Sequence, residues 1–308
     1  MRVRASSLNY RDLMVLKGGG RGPTKFGVVP LSDGAGEVAA VGDGVTRVKI
    51  GDRIAGCFDP RWFGGPIKPD YLTDRLGASL DGMLAEYAVL SEEALAHIPS
   101  HLSFEEAATL PCAAVTAWVA LTGHRRVTAG DTVLTQGSGG VSVFALQLAR
   151  VLGARVIATT STADKAERLK ALGASDVINY TETPDWDEKV RRELTDGRGV
   201  DCVAEIGGPG TIAMSLKALA VGEHISLIGG SLSPSGTGLD PLLLTGRGIT
   251  LGSISVGSRA DFEAMNRAIA LHRLRPVIDR TFPFADAKEA YRHFEGREHL
   301  GKVVITHG

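Results

Sequence analysis

The sequence predicts an α/β protein in which a doubly wound parallel sheet is joined to a β-rich region. Residues 1–100 alternate between short apolar runs and turns, a pattern typical of β structure. Residues 131–256 instead alternate between strand-like and helix-like segments, and a glycine-rich turn follows the first strand of that series. Strands and helices that alternate through short connections indicate a parallel sheet with helices on both faces.

The β-rich region contains one long irregular stretch and ends where helical patterns begin. Residues 57–82 are rich in proline and glycine, and long loops in compact domains are often functional. The segment Ser103-Phe104-Glu105-Glu106 has the capping-box pattern that begins a helix. After Pro111, the apolar run at residues 112–121 is expected to continue as helix.

The second region predicts a regular series of strands and helices. The strands are expected at residues 132–136, 155–160, 176–178, 202–206, 224–228 and 249–256. The helix expected at residues 164–172 is followed by Gly173, a residue well suited to a helix C-terminus. The C-terminal segment adds helices near 259–272 and 285–294 and strands near 280–282 and 302–305.

Composition and charge exclude several classes of protein. The 308 residues include 34 basic and 35 acidic side chains, a formal net charge of −1, so neither nucleic acid nor an anionic membrane is an expected partner. No apolar stretch reaches the ~18 residues of a membrane-spanning helix, and residues 1–5 lack the apolar core of a signal peptide. The three cysteines are too few and too dispersed for a disulfide framework. We therefore expect a cytoplasmic protein.

The glycine turn at residues 137–140 indicates a dinucleotide site. A pyrophosphate binds where the carboxyl end of a strand meets the next helix, because free N–H groups and the helix dipole attract it and glycines leave room for it. The pattern Gly137-x-Gly139-x-x-Ser142 matches the dinucleotide fingerprint, except that Ser142 replaces the third glycine. The alternative, a glycine turn without a ligand, is disfavoured by the strand before the turn and the helix after it.

The end of the second predicted strand of this region favours NADP(H) over NAD(H). An acidic residue at that place accepts a hydrogen bond from the ribose 2′-hydroxyl of NAD and would repel a 2′-phosphate. The strand ends in Thr159-Thr160-Ser161, and the first carboxylate after it is Asp164. Thr160 and Ser161 can donate hydrogen bonds to a phosphate, and Lys165 can add a positive charge. The alternative for Lys165 is an ordinary exposed helix residue.

Motifs along essentially the whole chain resemble those of the medium-chain dehydrogenase/reductase family. The closest resemblance is to its zinc-free members, the quinone oxidoreductases and zinc-independent alcohol dehydrogenases. The motifs are Ser7-Leu8-Asn9-Tyr10-Arg11-Asp12, Gly34-Ala35-Gly36-Glu37-Val38, Val48-Lys49-Ile50-Gly51-Asp52-Arg53, Ala85-Glu86-Tyr87, Ala107-Ala108-Thr109-Leu110-Pro111, Leu172-Gly173-Ala174 and Gly301-Lys302-Val303-Val304.

The resemblance implies three domain segments. Residues 1–112 would form a GroES-like substrate domain, residues 113–257 a Rossmann dinucleotide-binding domain, and residues 258–308 a C-terminal return to the substrate domain. The first hairpin of the GroES-like domain is expected to be absent from this chain. The resemblance also implies a homodimer, in which the apolar strand 249–256 would pair across a twofold axis.

The resemblance also locates the places at which zinc-dependent members hold their catalytic metal. Those places fall on Asn9, Ser32 and Cys112, whereas an open zinc site needs three protein ligands and only the cysteine is a usual one. The family's lobe of four clustered cysteines is missing, and the eight histidines include no ligand-spaced pair. We therefore expect no metal, and Cys112 is interpreted as a small buried side chain.

Similarity to the family implies further contacts with the cofactor. Thr116 is expected near the nicotinamide amide, and Tyr180 near the adenosine phosphate. The pyrophosphate is expected to be lined by Gly139, Gly140, Val141 and Lys302. Later strand ends add Gly207, Ile228, Gly229, Ser255 and Val256. For Tyr180 and Lys302, packing at the surface or at the rim of the site is the alternative.

The expected reaction is hydride transfer between the nicotinamide and a quinone or another small carbonyl compound. Asn9 and Tyr10 lie where the family has its active site, and they could donate hydrogen bonds to a substrate oxygen in place of a metal. The nearby acids Asp12 and Asp33 are expected to cap a helix and to stabilise a turn. Enoyl-thioester reduction is disfavoured because residues 18–29 lack the tyrosine that such members of the family use.

Two other functions stay open. One is that of an NADP-dependent alcohol dehydrogenase. The other belongs to a different class, a protein that binds NADPH without turnover, because fold alone does not determine function.

Overall fold

The computed structural model describes residues 1–19, 22–228 and 241–308. The strands are, in chain order, β1 Arg2–Ser7, β2 Asp33–Glu37, β3 Arg53–Gly56, β4 Leu95–His97, β5 Thr132–Gln136, β6 Arg155–Thr160, β7 Asp176–Asn179, β8 Val200–Glu205, β9 Leu219–Ile228, β10 Thr250–Ile254, β11 Ile278–Pro283 and β12 Lys302–Thr306. The α-helices are α1 Tyr10–Leu16, α2 Phe104–Ala107, α3 Val115–Thr122, α4 Gly140–Val151, α5 Ala163–Ala171, α6 Trp186–Arg192, α7 Ile212–Ala218, α8 Pro241–Thr245, α9 Arg259–His272 and α10 Ala287–Glu295.

The chain divides into two compact units, of which unit 1 contains both ends of the chain. Unit 1 comprises Met1–Val115 and Val256–Gly308, and unit 2 comprises Thr116–Ser255. The sheet of unit 1 has the order β11-β12-β1-β2-β3-β4. β1 pairs antiparallel with both β2 and β12, so the C-terminal strand joins the sheet that the N-terminal strand begins.

Unit 2 contains the predicted doubly wound parallel sheet. Its order is β7-β6-β5-β8-β9-β10, and each of these neighbouring pairs is parallel. The chain builds one half of the sheet outward from β5 and then returns to build the other half from β8. This order is that of the Rossmann fold, in which ligands bind at the carboxyl ends of the strands where the order reverses. The predicted fold class is therefore confirmed.

Burial explains why the strands of unit 2 appear in the sequence as apolar runs. Every residue of β5 and β8 is buried, as expected for central strands that helices cover on both faces. Leu134 and Val203 from these strands pack in one core with Trp186 and Leu216 from the helices. In unit 1, one cluster packs Phe294 of α10 with the β12 side chains.

The last segment of unit 1 before the chain enters unit 2 departs from the predicted continuous helix. The capping box is confirmed, because the Glu106 carboxylate accepts from the Ser103 N–H at 2.8 Å and the Ser103 hydroxyl accepts from the Glu106 N–H at 3.2 Å. However, α2 ends at Ala107, and the apolar run begins in a π-helical turn, Leu110–Ala114, before α3 starts. Pro111 has no N–H to continue the α-helical ladder, which accounts for the interruption.

No helix within the described residues is both long enough and apolar enough to cross a bilayer.

Candidate functional site

The glycine turn joins β5 to α4 in unit 2. Gly137 has a φ of +72°, which residues with side chains rarely adopt, and Gly139 is the N-cap residue of α4. A Cβ built on Gly139 meets nothing within 4 Å among the described atoms, so space is open at the start of this 12-residue helix. Free N–H groups and a helix dipole that face open space are suited to an anion such as a pyrophosphate. The predicted sequence of strand, glycine turn and helix is thus confirmed.

Ser142 replaces the third glycine of the fingerprint without disturbing the packing of α4 on the sheet. It is 2 % exposed, and its hydroxyl donates to the Gln136 carbonyl oxygen at 2.5 Å. The third glycine normally permits close packing of helix on strand. Here a hydrogen bond from helix to strand ties the two elements together instead.

A buried polar network beneath the turn was not predicted from the sequence. The Gln136 amide nitrogen donates to Glu205 at 2.8 Å, and its amide oxygen accepts from the Gly207 N–H at 3.2 Å. Glu205, which is fully buried, also accepts from Ser215 and from the Thr211 hydroxyl. This network fixes the ends of β5 and β8 relative to each other. The only signal in the sequence was polar residues at the ends of two apolar strands.

The end of β6 has the composition that the sequence analysis used to favour NADP(H). Thr160 is 1 % exposed, and its hydroxyl has no hydrogen-bond partner among the described residues. Ser161 and Lys165 are half-buried, and the Thr162 side chain caps α5 by accepting from the Lys165 N–H at 3.4 Å. Asp164 is exposed in the first turn of α5. Contact of Thr160, Ser161 and Lys165 with the cofactor stays a prediction.

Other predicted contacts lie at the ends of neighbouring strands. Tyr180 follows β7 and is 42 % exposed, Gly207 follows β8, Ile228 ends β9, and Ser255 follows β10. The carboxyl ends of parallel strands lie at one edge of the sheet, so these residues share an edge with the glycine turn. Gly229 lies outside the described residues.

The remaining predicted cofactor residues lie in helices or at the start of the C-terminal part of unit 1. Gly140 and Val141 are the first two residues of α4, and Thr116 is 4 % exposed in α3. Val256 begins the C-terminal part of unit 1 with a φ of +48°. A β-branched residue at positive φ is unusual, and such strain concentrates at functional sites.

In unit 1, Asn9 directly precedes α1 and is 7 % exposed. Asp12 caps this helix, because its carboxylate accepts from the Asn9 N–H at 2.8 Å, as the sequence analysis expected. Burial raises the pKa of Asp12 to about 6, although Arg11 opposes the shift. The cap fixes the backbone at Asn9 and leaves its side chain to make other contacts.

Lys302, at the start of β12, places its ammonium group against Asn9. The side chain is 2 % exposed, and Nζ donates to the Leu8 carbonyl oxygen at 2.5 Å and to Asn9 Oδ1 at 2.6 Å. Burial lowers the pKa of Lys302, and the carboxyl of Asp33 counters that effect. The described contacts of Lys302 are therefore within unit 1, and its predicted contact with a pyrophosphate stays a prediction.

Asp33 is the acidic member of this cluster. It lies in β2 with no exposed surface, accepts from the Ser32 hydroxyl at 2.8 Å, and accepts from the Cys112 N–H at 3.1 Å. Burial raises the pKa of Asp33, while Lys302 and the Asn9 amide lower it. The expected role of Asp33 in stabilising a turn was wrong, because the residue is in a strand and joins three segments of unit 1.

Tyr10 lies apart from the Asn9–Lys302 contact. The Tyr10 hydroxyl accepts from Arg297 at 3.4 Å, and the Arg297 guanidinium lies 5.5 Å from the centroid of the Tyr10 ring. Tyr10 also lines a surface pocket with Leu13, Met14 and Lys17 of its own helix. Its predicted catalytic role stays a prediction.

The three places at which related zinc enzymes hold their metal do not form a zinc site in this chain. Asn9 Oδ1 is bound to an ammonium group, and the Ser32 hydroxyl donates to a carboxylate. Of the three side chains, only the Cys112 thiol is a usual zinc ligand, and an open zinc site needs three protein ligands. Within the described residues, no group of three or more histidine, cysteine or acidic side chains could hold a metal ion. The donor set does not fit zinc.

A nicotinamide dinucleotide, in contrast, fits the edge of the sheet in unit 2. The open space at Gly139 leaves room for a pyrophosphate, and Thr160, whose hydroxyl has no hydrogen-bond partner in the described part of the chain, ends the strand at which this fold binds the ribose. The Rossmann sheet order of unit 2 and this site define the class of protein, a dinucleotide-dependent oxidoreductase.

The chain belongs to the medium-chain dehydrogenase/reductase family. Residues 1–100 match the alcohol dehydrogenase GroES-like domain, and residues 140–270 match the zinc-binding dehydrogenase family. A zinc-type alcohol dehydrogenase-like protein of Schizosaccharomyces pombe is 42% identical, over 99% of this chain and 89% of the relative. A quinone oxidoreductase of Pseudomonas aeruginosa is 32% identical, over 89% of this chain and 80% of the relative.

Solved structures agree with this assignment. A candidate alcohol dehydrogenase from Sinorhizobium meliloti 1021 has a TM-score of 0.91 at 43% identity and covers 99% of this chain and 89% of its own. A structure described as an NAD-dependent alcohol dehydrogenase has a TM-score of 0.90 at 36% identity and covers 100% of this chain and 91% of its own. The chain is accordingly an oxidoreductase of the alcohol dehydrogenase or quinone oxidoreductase type, from a family that binds nicotinamide cofactors.

Proposed function

We propose that the chain is a zinc-independent, NADP(H)-dependent oxidoreductase that transfers a hydride between the nicotinamide and a quinone or another small carbonyl compound. One observation carries the proposal: at two of the three metal-ligand places the side chain makes another bond, because Asn9 Oδ1 accepts from Lys302 and the Ser32 hydroxyl donates to Asp33. A quinone needs little help from an electrophile, because the hydroquinone oxyanion is comparatively stable. A quinone is therefore the acceptor that suits a metal-free site best.

The residues of the two units have separate roles in this proposal. A bound nicotinamide cofactor supplies the hydride or accepts it. Unit 2 holds the pyrophosphate at the open glycine turn and aligns the cofactor. In unit 1, Asn9 Nδ2 donates a hydrogen bond to the substrate oxygen, on which negative charge develops as the hydride reaches carbon. Water then protonates the oxygen.

The preference for NADP(H) is proposed from the end of β6. Thr160 and Ser161 occupy the place at which a carboxylate would repel a 2′-phosphate. The similarity to a protein named as NAD-dependent favours the opposite preference. We expect NADPH to bind at least about tenfold more tightly than NADH, or about 1.4 kcal/mol. Equal or tighter binding of NADH, measured by the quenching of protein fluorescence, would contradict the proposal.

Turnover is tested with a panel of acceptors after dialysis against a chelator. We expect the protein to oxidise NADPH in the presence of 1,4-benzoquinone, an enone or an aldehyde, and elemental analysis to find no stoichiometric zinc. Tight binding of NADPH without turnover of any acceptor or alcohol would favour the cofactor-binding protein. Oxidation of alcohols by NADP⁺ with no reduction of quinones would favour the alcohol dehydrogenase.

The role of Asn9 is tested by Asn9→Ala, with Tyr10→Phe as the comparison. Loss of one oxyanion donor lowers kcat by about 100-fold, so Asn9→Ala is expected to do so without changing the affinity for NADPH. Tyr10→Phe removes the second predicted donor, a hydroxyl that meets Arg297, and is expected to lower kcat less than Asn9→Ala does. A larger effect of Tyr10→Phe than of Asn9→Ala would assign the donor to Tyr10 instead. A thermal melt of each variant checks that it is folded.

A cytoplasmic homodimer remains part of the proposal. Among the described strands, β10 lies at one edge of the sheet in unit 2, and an edge strand can pair with a second copy. Sedimentation equilibrium measures the stoichiometry directly, and a monomer at micromolar concentration would contradict it.

A further inference from the structure

Lys302 is an unusual residue to find inside unit 1. A lysine is rarely buried unless its charge is compensated, because removing an ammonium group from water is costly. Here the side chain is 2 % exposed, and its two hydrogen bonds go to neutral oxygens, Leu8 O and Asn9 Oδ1. Compensating charge comes from Asp33 and Asp12, both of which favour the charged form of Lys302. The Lys302 amino group thus contacts one neutral amide, and two carboxyl groups favour its charged form.

The contact determines how the Asn9 side chain is oriented. An ammonium group has no acceptor, so it must face Oδ1 and not Nδ2. Nδ2 consequently faces away from the ammonium. It makes no hydrogen bond of ordinary length among the described residues, although the Asp33 carboxyl is near enough for the Asn9 amide to lower its pKa. A donor that makes no such bond on a side chain that is 7 % exposed is costly, and an acceptor from outside the chain would satisfy it.

The same contact strengthens Asn9 as a donor. An ammonium group beside the amide oxygen draws electron density from the amide nitrogen. Hydrogen bonds in series also polarise one another. Lys302 therefore makes the Nδ2–H group more acidic and also stabilises negative charge on any oxygen that Nδ2 binds.

We propose that Lys302 is a positioning residue that orients and polarises the Asn9 amide, so that Asn9 Nδ2 holds the substrate oxygen in the place of a metal cation. The inference rests on the proposed function. In reduction, a hydride adds to the carbonyl carbon, the electron pair of the C=O bond moves to oxygen, and that charge is held by Nδ2–H until water supplies a proton. Lys302 keeps its own proton throughout.

A different role for Lys302 is the pyrophosphate contact that the sequence analysis expected. The ammonium group has three N–H donors, of which Leu8 and Asn9 use two. The two roles predict different defects. A positioning role affects kcat when the cofactor is saturating, whereas a pyrophosphate contact affects the dissociation constant of the cofactor.

The first experiment compares Lys302→Gln with the parent protein. Glutamine can still donate to Asn9 but carries no charge. We expect kcat at saturating NADPH to fall about 100-fold and the dissociation constant of NADPH to change less than threefold. The double variant Lys302→Gln/Asp33→Asn avoids leaving a buried carboxylate uncompensated and is expected to show the same loss of kcat. Lys288→Gln, the same change on an exposed residue of α10, is the control.

One outcome would overturn the inference. If kcat of a folded Lys302→Gln or double variant stays within threefold of the parent at saturating NADPH, Lys302 does not act through Asn9. A weaker affinity for NADPH in the same variants would then assign the residue to the pyrophosphate.

A second experiment does not depend on turnover. The chain has three asparagines, Asn9, Asn179 and Asn266, so ¹⁵N-asparagine labelling gives three side-chain amide pairs. N,N-dimethylacetamide has a carbonyl oxygen that accepts a hydrogen bond but is not reduced by a hydride. We expect it, in the presence of NADP⁺, to shift the Asn9 pair of the parent and to shift that pair less in Lys302→Gln.

This readout separates the two possible failures. A response of Asn9 to the probe in a protein that turns over no acceptor would remove the proposed function and keep the role of Lys302. An equal response in the parent and in Lys302→Gln would remove the role of Lys302 whether or not the protein is an active enzyme.

Discussion

The two units carry their candidate functional residues in different ways. In unit 2 these residues follow the strand ends in chain order, with Gly137 after β5, Thr160 at the end of β6 and Tyr180 after β7. In unit 1 the cluster combines Asn9 from the start of α1 with Lys302 from β12, almost the whole chain apart. The periodic fold of unit 2 places a site along one sheet edge, whereas the site of unit 1 depends on which distant segments pair.

The chemical content of the two regions differs in the same way. The glycine turn offers backbone N–H groups and open space, which any sequence with the right glycines can provide. The cluster of unit 1 instead contains two buried ionisable groups, Asp33 and Lys302, and each favours the charged form of the other. Substitutions at the glycine turn should therefore affect mainly cofactor binding, whereas substitutions in the cluster of unit 1 should affect both stability and chemistry.

Among the substitutions that test this comparison, Gly139→Val is expected to have the largest effect, a loss of affinity for NADPH. The backbone of Gly139 has φ −75° and ψ 177°, which any residue can adopt, and a Cβ there meets no described atom within 4 Å. The substitution should cost about 1 kcal/mol of stability or less, as a poorer N-cap residue. It should nevertheless weaken NADPH binding by more than about 100-fold, or about 2.8 kcal/mol, because the side chain fills the space of the pyrophosphate.

The control for this prediction is Gly42→Val in unit 1, which also places a side chain in open space. Titration calorimetry of NADPH should give the parent affinity for that variant. If Gly139→Val binds NADPH as the parent does, the glycine turn is not the cofactor site.

A second effect, of intermediate size, concerns stability in acid. One residue in each unit, Asp12 and His224, is expected to change the free energy of unfolding with opposite signs as the pH falls. Burial raises the pKa of Asp12 in unit 1 from 3.8 to about 6, while Arg11 and Lys302 oppose the shift and Asp33 adds to it. Between pH 3.8 and about 6, Asp12 is therefore protonated in the folded protein but ionised in the unfolded protein. The contribution of Asp12 to stability is therefore present below about pH 4 and is lost as the pH rises through 6.

His224 in unit 2 has the opposite sign. Burial lowers its pKa from 6.5 to about 4, and His124 and Arg125 add to the shift. The unfolded form binds a proton that the folded form excludes, so the contribution of His224 is present above about pH 6.5 and is lost as the pH falls through 4. Each group changes the unfolding free energy by at most about 1.4 kcal/mol per pH unit.

Urea unfolding between pH 4 and 7 tests both signs. Relative to the parent, Asp12→Asn should lose stability as the pH falls from 6 to 4, and His224→Gln should gain stability as the pH falls from 6.5 to 4. Asp43→Asn changes an exposed loop residue, and its free energy of unfolding should vary with pH as that of the parent does. Slopes of the same sign for Asp12→Asn and His224→Gln would contradict the assignment.

The smallest effect is expected from Ser142→Ala. The variant loses the hydrogen bond from α4 to the Gln136 carbonyl, a loss of about 1 kcal/mol in the free energy of unfolding. The affinity for NADPH should stay within twofold of the parent, because Ser142 faces the strand and not the open space. A large loss of affinity in a folded variant would make Ser142 a ligand of the cofactor.

The sequence by itself determined the architecture of unit 2 and the position of its glycine turn. Periodic burial, the capping box at Ser103 and the glycines at 137–140 are local features, so residues close in the chain were sufficient to predict them. Absence of the usual zinc ligands at Asn9 and Ser32 was also evident without the structure. The resemblance of short motifs to a known family supplied the GroES-like domain.

Only the tertiary structure decided what surrounds Asn9. The sequence analysis expected Lys302 at a pyrophosphate and Asp33 in a turn, because each was considered with its own neighbours in the chain. Pairing of β1 with both β2 and β12 brings the segments of Asn9, Asp33 and Lys302 together. Lys302 could then be buried only beside carboxylates and carbonyl oxygens, because a charge without partners would be too costly inside the unit. The physical reason is that charge compensation acts through space and not along the chain.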